Sequence, residues 1–411
     1  MSKSNFLMSK EIVIIGGGPS GLMAADILSS NGYKVIIYER KPTFGRKFLM
    51  AGRGGLNISH SENLDDFIKK YGAKSSIFNK IINSFSPKNL RDWCQELGEK
   101  TFIGSSGRIF PESFKASPLL RAWLARLKKQ NVTFKTNHDW QGWENNNLIF
   151  NTKHGKIFIK SKSTILSLGG ASWPNLGSDG SWVKILEDQD VQISPLQPSN
   201  CGFVVEWTKI FSNRFEGKSL KSVLLSFQEK KVLGEFIITK IGVEGSAIYA
   251  ISSLLREEIN NNGEANLILD LKPDLTIEEI LKRLKKPQSK LSMSNYLRKT
   301  LNLSDVAIGL LMELPDRKNF NNFTPEKITR IIKSYTLNLK KPFSINRAIS
   351  TAGGVTFNSI DDNFMLINKP NVFVAGEMLD WEAPTGGYLL QACIANGAYV
   401  ANTIIKKNAN E

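Results

Sequence analysis

Apolar runs and a glycine-rich turn alternate in residues 11–39. The run Ile-Val-Ile-Ile at 12–15 leads into Gly-Gly-Gly-Pro-Ser-Gly at 16–21, and the longer apolar stretch Leu-Met-Ala-Ala-Asp-Ile-Leu follows at 22–28. A second short run, Val-Ile-Ile-Tyr, ends at Glu39. Short β-branched runs are typical of buried strands, whereas the longer stretch is typical of a helix. The pattern therefore predicts a strand, a tight turn, a helix and a second buried strand.

The rest of the chain alternates between helical and strand patterns. Apolar residues at helical spacing predict helices at 63–97, 117–129, 246–259, 276–286, 324–335 and 389–405. Alternating or continuous apolar runs predict strands at 132–134, 142–150, 156–160, 163–170, 202–206, 222–227, 235–239, 265–269 and 371–377, the first three of them antiparallel. Thr276-Ile-Glu-Glu279 has the spacing of a capping box and marks the start of its helix.

The order of these elements predicts an α/β protein of four segments. Residues 1–194 and 342–411 form the two parts of a Rossmann-like domain, and a β-rich segment at 195–271 and a helical segment at 272–341 are inserted between them. A chain of 411 residues is long enough for two or three domains. The helical segment is basic, since Lys272 to Lys341 contains 15 Lys or Arg against 7 Asp or Glu.

Composition narrows the class of protein. No window of about 20 apolar residues occurs, so no membrane span is expected. The polar start at 1–10 is expected to be a disordered lead-in rather than a secretory signal. Cys94, Cys201 and Cys393 show no metal-type spacing and no disulfide framework, and the three histidines are not spaced like metal ligands. These features predict a cytoplasmic protein without a metal site.

The net charge of +16 has two interpretations. A strongly basic surface attracts polyanions such as RNA or anionic lipid. The chain is also rich in Lys, Asn and Ile, a composition typical of AT-rich genomes, in which lysine spreads over solvated faces without a partner. Composition leaves both interpretations open.

The glycine-rich turn has the chemistry of a dinucleotide site. Gly16 permits the tight turn, Gly18 lets the backbone approach a pyrophosphate, and Gly21 lets the helix pack on the strand. Pro19 and Ser20 lie in the first helical turn, whose free N–H groups bind phosphate. Glu39 lies about 20 residues further on, where a carboxylate accepts hydrogen bonds from a ribose. An ordinary turn of an α/β protein is the alternative.

The loop after Glu39 favours FAD over NAD. Residues 40–57 contain four glycines and five cationic side chains. A loop of this composition suits a larger ligand, such as FAD, because the loop can enclose a second part of the ligand. The predicted cofactor contacts in this loop are Arg40, Arg46, Lys47, Arg53, Gly54, Gly55 and Leu56. A surface loop with solvated charges is the alternative.

Two later segments of the chain also have the pattern of a cofactor-binding site. Gly169 and Gly170 follow a buried strand, and Ala-Gly-Glu ends another strand at Gly376 and Glu377. Thr385, Gly386, Gly387 and Tyr388 open the last helix. Glu377 is predicted to accept a ribitol hydroxyl, and the helix N-terminus is predicted to face the flavin, where negative charge develops on reduction.

These motifs resemble the BaiN/YhiN-like flavoproteins, a family of FAD-dependent oxidoreductases. The resemblance covers essentially the whole chain. It implies a glutathione-reductase-type FAD-binding domain interrupted by an inserted β-barrel-like domain and a small helical domain. It also implies reduction of activated C=C bonds, in substrates that include steroid enones and a uracil of ribosomal RNA.

This chain departs from the family at one position. The family loop ends in Gly-Arg-Cys-Asn, whereas here Gly54, Gly55 and Leu56 precede Asn57. A cysteine beside the flavin supplies a proton, which Leu56 cannot do. His60 is the remaining candidate acid, although a lone histidine is more often structural.

Three functions follow as expectations. The first is an enzyme that passes a hydride from transiently bound NAD(P)H through FAD to an activated C=C bond of a small molecule. The second is reduction of a uracil in ribosomal RNA, with the RNA bound by the basic segment at Lys282, Arg283, Lys285, Lys286 and Lys290. The third is an FAD-binding redox sensor without turnover.

Overall fold

The structure is a computed structural model that describes residues 11–52, 54–285 and 291–409. The predicted lead-in at 1–10 and the predicted ligand contacts Arg53, Lys286 and Lys290 lie outside the described residues. The described chain divides into two compact units. One is formed by the residues up to Gln197 together with those from Ser350, and the other is Pro198–Ile349.

The strands are β1 (Glu11–Ile15), β2 (Lys34–Glu39), β3 (Ser59–His60), β4 (Thr101–Ile103), β5 (Arg108–Pro111), β6 (Thr133–Thr136), β7 (Asp139–Glu144), β8 (Asn147–Thr152), β9 (Gly155–Ile159), β10 (Ser163–Leu166), β11 (Ile193–Ser199), β12 (Phe203–Val204), β13 (Ser219–Phe227), β14 (Lys230–Thr239), β15 (Gly242–Glu244), β16 (Ala265–Asp270), β17 (Tyr335–Leu339), β18 (Ser350–Val355) and β19 (Val372–Val374).

The α-helices are α1 (Pro19–Ser30), α2 (Arg46–Ala51), α3 (Leu64–Lys69), α4 (Ser75–Ser84), α5 (Pro87–Glu96), α6 (Ala116–Lys129), α7 (Trp182–Glu187), α8 (Lys209–Phe215), α9 (Ser246–Tyr249), α10 (Ser252–Asn262), α11 (Ile277–Leu284), α12 (Met293–Leu301), α13 (Asp305–Leu311), α14 (Pro325–Lys333) and α15 (Tyr388–Ala409). Among the described helices, none is long and apolar enough to cross a membrane.

A parallel sheet forms the centre of the first unit, with strand order β19-β10-β1-β2-β6. β1 and β10 are buried along nearly their whole length, as the continuous apolar runs predict for inner strands of a parallel sheet. The helices α1 and α15 pack against each other. The predicted Rossmann-like α/β core is confirmed.

Two sequence predictions for this unit are wrong. The strand at 132–134 was assigned to an antiparallel group, but β6 pairs in parallel with β2 at the edge of the central sheet. The single strand predicted at 142–150 is a hairpin instead, in which β7 and β8 pair antiparallel. The strand predicted at 156–160 is β9, which pairs antiparallel with β8 as expected. Short alternating runs do not distinguish the edge of a parallel sheet from a meander strand, because both expose one face.

The second unit contains the inserted barrel. Its sheet runs β12-β15-β14-β13-β16-β17. The two end strands are joined by backbone bonds, because Val204 N donates to Lys341 O (2.8 Å) and Lys340 N donates to Val204 O (2.9 Å). The sheet is thus closed on itself, which leaves no free edge. The β-barrel-like insert that the resemblance implied is confirmed.

The helices α11 to α14 lie in the chain between β16 and β17, so the basic segment 272–341 also contains the last strand of the barrel. Thr276 caps α11 through a capping box, as predicted: Glu279 N donates to its hydroxyl (3.2 Å), and its own N–H donates to the Glu279 carboxylate (2.8 Å). Ser292 and Ser304 cap α12 and α13, two helices that the sequence analysis did not predict.

Candidate functional site

A cavity in the first unit lies at the carboxyl ends of β1, β2 and β10. This edge is where open parallel sheets bind ligands. The predicted residues that line it are Gly16, Gly18, Pro19, Ser20, Glu39, Arg40, Arg46, Lys47, Gly169 and Glu377. The predicted residues absent from its lining are Gly21, Gly54, Gly55, Leu56, Gly170, Gly376, Thr385, Gly386, Gly387, Tyr388 and His60.

The glycine turn is shaped by close contacts on one side and open space on the other. Gly16 has φ +108°, and a Cβ there would lie 2.3 Å from Ser167 O. A Cβ on Gly21 would lie 2.2 Å from Gly16 O, so α1 packs directly on the turn. Apart from its chain neighbours, a Cβ on Gly18 would meet nothing within 4 Å in the part of the chain that the structure describes. The turn therefore presents bare backbone to the cavity at Gly18, next to the N-terminus of α1.

Glu39, the last residue of β2, is hydrogen-bonded to the glycine-rich turn. Its carboxylate accepts hydrogen bonds from Gly17 N (2.9 Å) and Lys41 N (2.8 Å). Burial raises its pKa, and these two backbone bonds oppose the shift. Each oxygen keeps a lone pair free, so the carboxylate can also accept a ribose hydroxyl.

Lys47 and Glu377 form an ion pair inside the cavity. Lys47 Nζ lies 2.7 Å from Glu377 Oε2 and 2.6 Å from Ser172 Oγ. Glu377 also accepts a bond from Thr351 N (3.1 Å). Lys47 is thus ion-paired with Glu377, the carboxylate predicted to accept a ribitol hydroxyl.

Arg40 and Arg46 differ in their bonding. Arg40 donates to Gly177 O (2.7 Å) and pairs with Asp179 (2.8 Å), so it fixes the loop that follows β10. Arg46 donates through Nη1 to Thr43 (3.1 Å), while its buried Nε has no partner among the described residues. The buried hydroxyl of Ser178, also in the cavity lining, likewise has no partner in the described structure.

These observations fit a bound FAD. The open backbone at Gly18 and the donor Arg46 Nε suit a pyrophosphate, and Glu39 suits a ribose. The orphaned Ser178 hydroxyl can bond a further polar group, because buried polar atoms are rarely left without a partner.

The loop ending in Leu56 and the block opening α15 lie together beside β3. Leu56 is fully buried, so it acts as a packing residue. A Cβ on Gly387 would lie 2.6 Å from backbone atoms of Ser59, which brings the start of α15 directly onto the segment after the loop.

His60 is held by backbone groups on both ring nitrogens. Nδ1 lies 3.1 Å from Glu62 N, and Nε2 lies 3.0 Å from Ser106 O. Its ring stacks on Tyr388, whose hydroxyl donates to Glu62. Burial and the neighbouring Glu62 carboxylate raise the pKa of Tyr388. This bonding gives His60 a structural role in positioning Tyr388.

Several cavity residues were missed from the sequence. Cys393 lines the cavity from α15, and burial raises the pKa of its thiol to about 12. The aromatic side chains Tyr38, His138 and Trp140 line the part of the cavity next to Glu39. Tyr38 lies in β2 next to Glu39, but no local motif marks it as a cavity residue. His138 directly precedes β7, Trp140 lies in β7 and Cys393 lies in α15, so these three meet the glycine turn only in the folded chain.

The chain matches known proteins along most of its length. Residues 10–403 match the family model described as HI0933-like protein Rossmann domain. The ribosomal RNA dihydrouridine synthase of Haemophilus influenzae is 23% identical over 406 residues, covering 93% of this chain and 95% of that protein. The ribosomal RNA dihydrouridine synthase of Escherichia coli is 22% identical over 387 residues, covering 93% and 94%.

A solved structure shares the fold. The 3-ketosteroid Δ1-dehydrogenase of Sterolibacterium denitrificans superposes with a TM-score of 0.53 and 11% identity, covering 96% of this chain and 99% of that protein.

Proposed function

Because the chain belongs to the HI0933-like family of FAD-binding oxidoreductases, we propose that it reduces the activated C=C bond of a uracil in ribosomal RNA with NAD(P)H as the electron source. Bound FAD supplies hydride transfer between the nicotinamide and the substrate. One carbon of the double bond receives the hydride and the other a proton, so uracil, NAD(P)H and a proton give dihydrouracil and NAD(P)⁺.

The observation that carries this proposal is the extent of the similarity to the two dihydrouridine synthases. It spans 93% of this chain, and therefore includes the barrel and its helices as well as the cofactor motif. A protein that shared only the cofactor site would match over the first unit alone.

The residues of the cavity have defined tasks in this proposal. Gly18 and Arg46 hold the pyrophosphate, Glu39 holds the ribose, and the Lys47–Glu377 pair fixes the wall around the ribitol. Leu56 provides no proton, so the thiol-dependent step implied by the family resemblance is not assigned to this position.

The basic segment supports RNA as the partner. Lys282, Arg283 and Lys285 are exposed at the C-terminal end of α11, and none has a carboxylate within ion-pair distance in the described part of the chain. Arg283 and Lys285 do help to lower the pKa values of Asp274 and Glu326. Exposed cations of this kind can still neutralise phosphates and release counterions. Ribosomal RNA as substrate also accords with the cytoplasmic location expected from the sequence.

The test is to measure dihydrouridine in ribosomal RNA from cells with and without this gene, by mass spectrometry of nucleosides. We expect one site to lose dihydrouridine on deletion and to regain it with the wild-type gene but not with Lys47→Met. Unchanged dihydrouridine would contradict the proposal. If NADPH were still oxidised with small enones, a small-molecule substrate would be favoured, whereas bound FAD without NADPH oxidation would favour a redox sensor.

A further inference from the structure

Three phenylalanines form a partly exposed cluster on the small sheet of the first unit. Phe102 on β4 and Phe110 on β5 are paired in register, with ring centroids 5.8 Å apart. Phe114 completes the cluster at 5.0 Å from Phe102 and 5.3 Å from Phe110. Phe114 is 49% exposed, so core packing does not account for its position.

The backbone of Phe114 is held in an unfavourable conformation. Its φ is +56°, in the left-handed region that bulky residues rarely adopt. Two bonds fix it there: Phe114 N donates to Pro111 O (2.9 Å), and Leu56 N donates to Phe114 O (2.9 Å). Such strained backbone concentrates at functional positions.

The cluster abuts the loop predicted to approach the flavin. Gly55 has φ +102°, and a Cβ there would lie 3.2 Å from Phe114 Cδ1 and 3.7 Å from Phe110 Cε1. A Cβ on Gly54 would meet no atom of the described residues within 4 Å, its chain neighbours aside. The exposed rings therefore border an open region beside this loop.

Cationic side chains flank the rings. Arg108 lies two residues before Phe110 on β5 and so shares its face of the sheet. Lys115 is exposed directly after Phe114. Neither cation has a carboxylate within ion-pair distance in the described residues, although the charge of Arg108 opposes the rise in the pKa of Tyr388. Of the nearby acids, Glu112 is exposed and Glu99 accepts a bond from Ser113 (3.1 Å).

We propose that Phe102, Phe110 and Phe114 form a stacking surface for an unpaired base of the RNA substrate, with Arg108 and Lys115 placed for the adjacent phosphates. Aromatic faces beside cations are the usual means of binding single-stranded nucleic acid, because every base has a face to stack. The identity of this partner rests on the function proposed above. The faces of a base within a duplex are covered by the neighbouring bases. The surface is therefore expected to bind single-stranded RNA in preference to a duplex.

The test is fluorescence-anisotropy binding of a labelled oligouridylate of about 10 nucleotides to the full-length protein loaded with FAD. Phe114→Leu keeps an apolar side chain but removes the aromatic face, and Phe114→Tyr keeps the face. The matched control is Ile103→Ala, because Ile103 is 48% exposed on the same hairpin and alternates to its other face. Flavin absorbance and circular dichroism verify that each variant is folded.

We expect Phe114→Leu to weaken binding by about 5- to 100-fold, with Phe114→Tyr and Ile103→Ala close to wild type. Three results would each overturn the inference. Phe114→Leu could bind the oligouridylate as tightly as wild type, or Ile103→Ala could lose as much affinity as Phe114→Leu. The wild-type protein could also bind the oligouridylate and its duplex with equal affinity. If dihydrouridine forms in cells but oligouridylate binding does not depend on Phe114, only this inference fails. If binding depends on Phe114 but no dihydrouridine is lost on deletion, only the proposed function fails.

Discussion

Lys47 and Glu377, which are 330 residues apart in the sequence, form an ion pair with Nζ 2.7 Å from Oε2. Glu377 is 8% exposed, so its carboxylate depends on this partner and on Thr351 N for compensation. The pair joins α2 to the short 3-10 turn, Gly376–Met378, that follows β19 inside the first unit. It therefore holds together two parts of the cavity wall that the chain contributes from opposite ends.

Removing the lysine should destabilise the protein and weaken cofactor binding. Lys47→Met leaves a buried carboxylate without its cation, which costs about 2–4 kcal/mol after allowance for the partial exposure of Lys47. Thermal melts and FAD titration measure both effects. Lys184→Met is the control, since Lys184 forms an exposed pair with Asp188 and its loss should change neither quantity. Equal behaviour of the two variants would contradict a structural role for the buried pair.

Substitution at Gly18 should separate cofactor binding from folding. Gly18 has φ −87°, a conformation open to any residue, and a Cβ there would meet no atom of the described structure within 4 Å, its chain neighbours aside. Gly18→Ala is therefore expected to leave the melting temperature of the apoprotein unchanged while raising the Kd for FAD about tenfold or more, because the methyl group occupies space needed by the pyrophosphate.

The comparison for Gly18→Ala is Gly21→Ala. A Cβ on Gly21 would lie 2.2 Å from Gly16 O, so this variant should melt earlier even without FAD. An apoprotein of Gly18→Ala that is destabilised as much as Gly21→Ala would show that the space at Gly18 serves folding rather than a ligand.

The cysteine thiols should be unreactive in the folded protein. All three cysteines are buried, and burial raises the pKa of Cys94 and of Cys393 to about 12. Burial disfavours the thiolate, so at pH 8 the thiolate fraction of these two is about a thousandfold below that of an exposed thiol of pKa 9.0. Ellman's reagent should find three thiols only after denaturation. Fast labelling of Cys393 at pH 8 would contradict the burial seen here.

Charge reversal on α11 should reduce RNA binding in a salt-dependent way. Changing Lys282, Arg283 and Lys285 to glutamate is expected to lower the slope of log K against log salt by about 2, since each phosphate contact to a single strand contributes about 0.7. The control reverses Lys153, Lys156 and Lys160, three exposed lysines of the β8–β9 region, with a similar change in net charge. Equal loss in both variants would indicate a diffuse charge effect instead of a binding surface.

Local sequence determined the parts of this fold that were predicted correctly. Residues 11–39 place a strand, turn, helix and strand in consecutive order, and the capping box at Thr276 lies within four residues. Such features depend on neighbours in the chain, so apolar spacing and turn chemistry suffice to predict them.

Features that depend on distant residues were not predictable. The pairing of Lys47 with Glu377 requires the folded arrangement of α2 and the turn after β19, and the presence of Cys393 in the cavity requires that of α15. The left-handed backbone of Phe114 has no sequence signal, because phenylalanine rarely adopts it and bonds to Pro111 and Leu56 impose it.

The most direct test of the central claim is the visible spectrum of the purified full-length protein during anaerobic titration with NADPH. We expect an oxidised-flavin band at about 450 nm that bleaches as NADPH is added. Gly18→Ala should show a weaker band at the same added FAD. A colourless protein that takes up no added FAD would contradict it.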